Sequence, residues 1–130
     1  MSRSWNPASP PGGALDIPYS PAAVSAGYVH VAGVISTDES GGIVADEFAN
    51  QARRTFANLV TTLEAAGCTA ADVVHVTTYL TDRGDFDAFN QAFTQAFSEP
   101  FPARVTVLAQ LIVPDLSIEV TAVAARPSSS

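Results

Sequence analysis

Apolar and polar positions along this chain follow two rhythms. Residues 28–35 are β-branched and aromatic in near-continuous run, Asp38-Glu39-Ser40-Gly41-Gly42 reads as a turn, and Ile43-Val44 resumes a short extended piece. From Asp46 the period changes: Phe48, Ala52, Phe56, Leu59, Val60 and Leu63 recur at helical spacing until Gly67 stops them. Residues 72–81 then predict a strand and Asp82-Arg83-Gly84 a turn. Asp85 is the expected cap of a second helix, on which Phe86, Phe89, Phe93 and Phe97 form one stripe before Pro100. Two more strands, 103–111 and 117–125, are joined across Val113-Pro114-Asp115. The predicted order is ββαβαββ.

Two amphipathic helices need one sheet to cover, and crossovers of one hand place both on the same face. The fold class is therefore α+β, a mixed sheet with two helices on one side. Period-two reading assigns Val29/Val31/Gly33/Ile35, Ala103/Val105/Val107/Ala109 and Ile118/Val120/Ala122/Ala124 to the helix side. The alternate set is Tyr28/His30/Ala32/Val34, Arg104/Thr106/Leu108/Gln110 and Glu119/Thr121/Val123. That open face is too apolar for water and too charged for a dry core, as a subunit interface enclosing a polar pocket would be.

Composition narrows the field. A chain of 130 residues suits one domain, expected at 15–126. A flexible segment 1–14, rich in proline and glycine, and a flexible tail 127–130 are expected to flank it. Charged residues make up 15%, against about 25% in an average domain, and hydrophobic residues 47%, which favours self-association. A formal charge of −7 argues against nucleic-acid partners. No apolar run approaches the ~18 residues of a membrane span, and residues 1–7 lack the apolar stretch of a secretory signal, so a cytoplasmic location is expected. Cys68 is the only cysteine, and His30 and His75 fall on different strands without a third ligand, so no metal site is expected.

Arg104 is the most informative residue, a permanent cation inside an apolar strand that calls for an anion. It either pairs with Glu119 on a neighbouring strand or clamps a small carboxylate ligand through two parallel hydrogen bonds. Glu119 correspondingly either neutralises Arg104 or orients and deprotonates a water. Tyr19, held extended between Pro18 and Ser20-Pro21, packs or presents a phenol at a pocket rim. Asn90 caps a loop or touches a ligand. The phenylalanine stripe reads as core and Cys68 as an inert thiol. No phosphate-binding glycine loop, nucleophile elbow or DNA-binding module occurs.

Seven short segments recur together in one known family. They are Pro18-Tyr19-Ser20, residues 31–35, 63–67 and 76–82, Asp85-Phe86 with Asn90, residues 101–104, and Ile118-Glu119-Val120. On these the chain resembles the Rid (YjgF-like) family of imine deaminases, also named endoribonuclease L-PSP. The resemblance implies a chorismate-mutase-like protomer in a homotrimer with pockets between subunits. It implies that Arg104, Glu119 and Tyr19 are catalytic, with Arg104 on the substrate carboxylate and Glu119 placing the water. Gly33, Asn90 and Thr106 would join Arg104 in binding substrate.

The implied reaction is hydrolysis of 2-imino or enamine acids, such as 2-iminopropanoate and 2-iminobutanoate, to 2-keto acids and ammonia. No metal or organic cofactor is implied, because an iminium carbon is already electrophilic. Two alternatives stand beside it: a non-catalytic, keto-acid-binding regulatory trimer, and a pathway-specific enamine deaminase of aromatic catabolism. A ribonuclease is poorly supported at this net charge. Ala32 stands where many members carry Ser, Thr106 where they carry Cys or Ser, and Thr121 where a second acid is common. Gln110 and the 112–114 connection also depart from the pattern.

Overall fold

The computed structural model describes residues 17–127. The expected segment 1–14 and the last three residues of the expected tail lie outside the described residues. The elements are β1 (Ala22–Ser25), β2 (Tyr28–Val34), α1 (Phe48–Ala65), β3 (Val73–Leu80), α2 (Phe86–Ala96), β4 (Ala103–Leu108) and β5 (Ile118–Ala125). Strand order is β1-β2-β5-β3-β4, with β3 and β4 parallel and the other pairs antiparallel.

The ββαβαββ order holds, but its first strand is not the one expected. β1 and β2 form a hairpin through Ala26-Gly27, both at positive φ (55° and 84°), as the twist of a two-residue hairpin requires. Ala22–Ser25 is short and poor in β-formers, which hides it from a propensity reading. Ile43, expected to begin a short strand, makes only an isolated bridge to Thr37. The intervening turn is tied by Asp38, whose carboxylate accepts from the backbone N–H groups of Ser40 and Gly42, both at 2.9 Å.

α1 ends where Gly67 predicted. The Gly67 N–H donates to the Glu64 carbonyl and the Cys68 N–H to the Leu63 carbonyl, the paired bonds of a Schellman close. Phe56 of α1 packs on Phe89 and Phe93 of α2 and on Phe97 at its C-cap, with centroid separations of 6.1, 6.2 and 5.7 Å. Beneath them Val29, Val76, Ile118, Val120 and Ala124 are fully buried. Each large side chain so buried contributes about 1.5–3 kcal/mol. Asp82, not Asp85, prepares α2: its carboxylate accepts from Gly84 N–H at 2.7 Å, whereas Asp85 makes no side-chain cap.

Two strands reverse the expected faces. On β4, Arg104, Thr106 and Leu108 pair with Val76, Thr78 and Leu80 of β3. Parallel partners share a face, and those β3 residues are buried, so the Arg104 set lies on the helix side. Val105 and Val107, read from sequence as core, lie on the open face at 45% and 40% exposure. β4 is an edge strand, so α2 need not bury it and the alternation carries no inside or outside label.

On β2 the register breaks between Val31 and Val34. Val31 stays in the core, Val34 pairs with Val120 and packs against the core, and the Thr121 hydroxyl donates to the Val31 carbonyl at 2.6 Å. Val34, expected on the open face, therefore moves inward, and Gly33, expected inward, meets Glu119.

Candidate functional site

Glu119 sits between the fully buried Ile118 and Val120, so the alternation of β5 turns it to the open face. Gly33 lies directly against it: a Cβ built there would run into the Glu119 carboxylate, and the missing side chain permits the approach. Among the described residues that carboxylate has neither a hydrogen-bond partner nor an ion pair. Burial pushes its pKa above the ordinary 4.5. Beside it opens a cavity of about 280 Å³ whose lining includes Tyr19, Ala32, Asn58, Thr62 and Ile112.

Asn58 and Thr62 are pocket residues that sequence reading missed. They stand one helical turn apart on α1, next to the apolar stripe, and that i, i+4 polar pair was the available signal. Asn58 Nδ2 donates to the Ile35 carbonyl at 3.0 Å and to Thr37 Oγ1 at 2.9 Å, which ties the exit of β2 to the helix.

Arg104 stands elsewhere. Its guanidinium carbon is 4.8 Å from the centroid of Phe93, 5.3 Å from Phe89 and 5.8 Å from Phe86. Its Nη2 donates to Asn90 Oδ1 at 2.6 Å. The phenylalanine stripe is thus core on one side and an aromatic bed for a cation on the other, a second role the spacing did not reveal. Asn90 neither caps a loop nor stands apart as a free ligand contact; it accepts from Arg104. Among the described residues no carboxylate lies within 4.0 Å of Arg104. Thr106 follows two residues along the same face, in a cleft with Arg83, Phe86 and Asp87.

The expected residues therefore form two groups. Tyr19, Gly33 and Glu119 gather at the 280 Å³ cavity, and Arg104, Asn90 and Thr106 gather at the β4 edge beside α2. The ion pair between Arg104 and Glu119, one of the two sequence readings, does not form: β3 separates their strands and they occupy opposite faces of the sheet. Cys68 is buried, and its thiol is pushed up first by that burial and then by Asp72. Among the described residues no three His, Cys, Asp or Glu side chains cluster to hold a metal ion, and no helix is long and apolar enough to cross a membrane.

The sequence profile of endoribonuclease L-PSP proteins matches residues 13–126. The chain belongs to this family, the Rid or YjgF-like proteins. A RutC family protein of Pyrococcus horikoshii is 38% identical over 108 residues, 82% of this chain and 86% of that protein. The human 2-iminobutanoate/2-iminopropanoate deaminase is 34% identical over 108 residues, 82% of this chain and 79% of the human one. Among solved structures, RidA from an Antarctic Psychrobacter superposes with a TM-score of 0.83 at 30% identity, covering 88% of this chain and 94% of that one. In this Rid-family chain the two residue groups supply complementary chemistry. One offers a fixed cation that, among the described residues, gives a side-chain hydrogen bond only to Asn90, and the other a carboxylate made more basic by burial, beside space for a small molecule.

Proposed function

We propose that the chain hydrolyses 2-imino and enamine acids to 2-keto acids and ammonia, in a homotrimer whose sites are each completed by two copies. The observation that carries this reading is the separation, on opposite faces of one sheet, of an Arg104 and a Glu119 that among the described residues have no anion and no partner respectively. Neither group alone both holds a carboxylate and activates a water. Two copies, one presenting its β4 edge and the other its Glu119 cavity, bring them together. The open face with its exposed Val105 and Val107 supports such association.

In the reaction, Arg104 holds the substrate carboxylate through the N–H groups that Asn90 leaves available. Glu119 accepts a proton as water oxygen attacks the iminium carbon. That proton passes to the amine nitrogen, Glu119 then takes the remaining carbinol O–H proton as the carbonyl forms and the C–N bond breaks, and the departing ammonia carries that proton away as ammonium. Tyr19 at the cavity rim and Thr106 beside Arg104 complete the enclosure. Orientation of this kind is worth up to about 7–11 kcal/mol, so no strong nucleophile is needed.

Mixing two inactive variants tests the shared site. Arg104→Ala and Glu119→Gln chains, unfolded and refolded together, regain activity in about a quarter of the sites if neighbouring copies contribute one residue each to a cyclic trimer. A mixture as inactive as its parents rejects the shared site.

A further inference from the structure

The cavity beside Glu119 is chemically one-sided. Among the described lining residues Glu119 is the only charged one, and Ile17, Val34, Ile35, Ile112 and Val113 give much of the remaining wall an aliphatic character. Its polar members are largely engaged with the protein itself. Asn58 donates to Ile35 and Thr37, and the Thr62 hydroxyl donates to the Asn58 carbonyl at 3.1 Å. Ala32 brings a methyl group and no hydroxyl. Ile112, also in the lining, is a large aliphatic side chain that is 91% exposed.

We infer that this site selects acids bearing a bulky apolar side chain, with Ile112 and Val113 as its specificity-determining residues. The inference rests on the proposed imino-acid site, which assigns the ligand carboxylate to Arg104 and its reacting carbon to Glu119. The rest of the cavity is then left to the side chain. Its 280 Å³ is roughly nine times the ~30 Å³ share of a water molecule, far more than a methyl group fills. An acidic side chain would find no cation among the described lining residues of the copy that supplies Glu119, and would face Glu119 itself. A branched aliphatic one would displace water from Val34 and Ile35 and cover Ile112.

The test compares freshly generated imino acids derived from alanine, leucine and glutamate. It measures kcat/KM for each, and the affinities of the three corresponding keto acids in parallel. The leucine-derived acid should exceed the alanine-derived one by about 10-fold or more, since even one methylene in an apolar pocket is worth that much. The glutamate-derived acid should be the poorest. Ile112→Ala should reduce the leucine-to-alanine ratio about 10-fold, and Ile112→Leu should retain it. Native mass spectrometry checks assembly, and Val113→Ala replaces any variant that fails to assemble. A wild-type series indifferent to side chain, or an Ile112→Ala loss equal for both substrates, overturns the inference. The keto-acid affinities keep the two readings apart. If no imine is turned over but affinity climbs with apolar size, the hydrolase reading falls and the selectivity stands. If affinity ignores the side chain, the selectivity falls.

Discussion

Gly33 on β2 and Glu119 on β5 stand so close that a single methyl group on Gly33 would overlap the Glu119 carboxylate. The contact falls within the register break of β2 between Val31 and Val34. Gly33→Ala must therefore displace the carboxylate, and a misplacement of about 1 Å costs roughly 100-fold in rate. Because the obstacle is the far end of a flexible side chain, the stability cost should stay near about 1 kcal/mol, at the low end for overpacking. Imine hydrolysis and thermal unfolding measured together check this, and a wild-type rate in Gly33→Ala would sink the proposed role of Glu119.

Arg104→Lys keeps the positive charge and loses the planar fork. Transition-state binding should fall by about 2–5 kcal/mol, with the fold intact, because Phe89 and Phe93 remain buried whatever stacks on them. The measurement is kcat/KM alongside circular dichroism. Equal kcat/KM in the two proteins would reject bidentate carboxylate binding.

Asn90→Asp replaces a neutral acceptor 2.6 Å from Arg104 with a carboxylate. The new anion should satisfy the guanidinium and compete with the substrate for it. We expect 2-ketobutyrate affinity to drop about 10-fold or more, while the melting temperature holds or rises, since hydrogen bonds to charged groups contribute about 1.5–3 kcal/mol. Calorimetric titration reads the first quantity and thermal unfolding the second. Undiminished affinity would show that Arg104 does not bind the ligand.

The raised pKa of Glu119 gives two pH signatures. Burial favours the protonated carboxyl in the folded state, so that state binds more protons than the unfolded one between the ordinary 4.5 and the raised value. Stability should therefore fall as pH climbs through that window, and Glu119→Gln should remove this component. The base form accumulates only above the raised value, so kcat should climb on an acid limb displaced above the ordinary carboxylate range. A pH–rate profile whose acid limb lies at or below 4.5 would contradict the burial of the catalytic carboxylate.

Local pattern was enough for much of the fold. The helical stripe from Phe48 to Leu63, the stop at Gly67, the phenylalanine stripe of α2 with Phe97 at its C-cap, and the cores of β3 and β5 are all legible, because period and terminal signals are properties of consecutive residues. The chemistry-bearing residue types were legible too. An arginine or a glutamate within an apolar strand marks itself, and the seven short segments pointed to the family that the profile match assigns.

What the sequence could not decide was which way those residues face and which of them meet. Strand alternation gives two sets of side chains without saying which set is covered. On the edge strand β4 pairing with β3 settled it against the more apolar set, placing Arg104 among Phe86, Phe89 and Phe93. One irregular residue in β2 exchanged the faces of Gly33 and Val34, an outcome of long-range register with β5. The strand order likewise set β3 between Glu119 on β5 and Arg104 on β4, and the packing of α1 brought Asn58 and Thr62 to the cavity. Composition and period are local, whereas facing and adjacency depend on pairing between strands far apart in the chain, and those only tertiary structure determines.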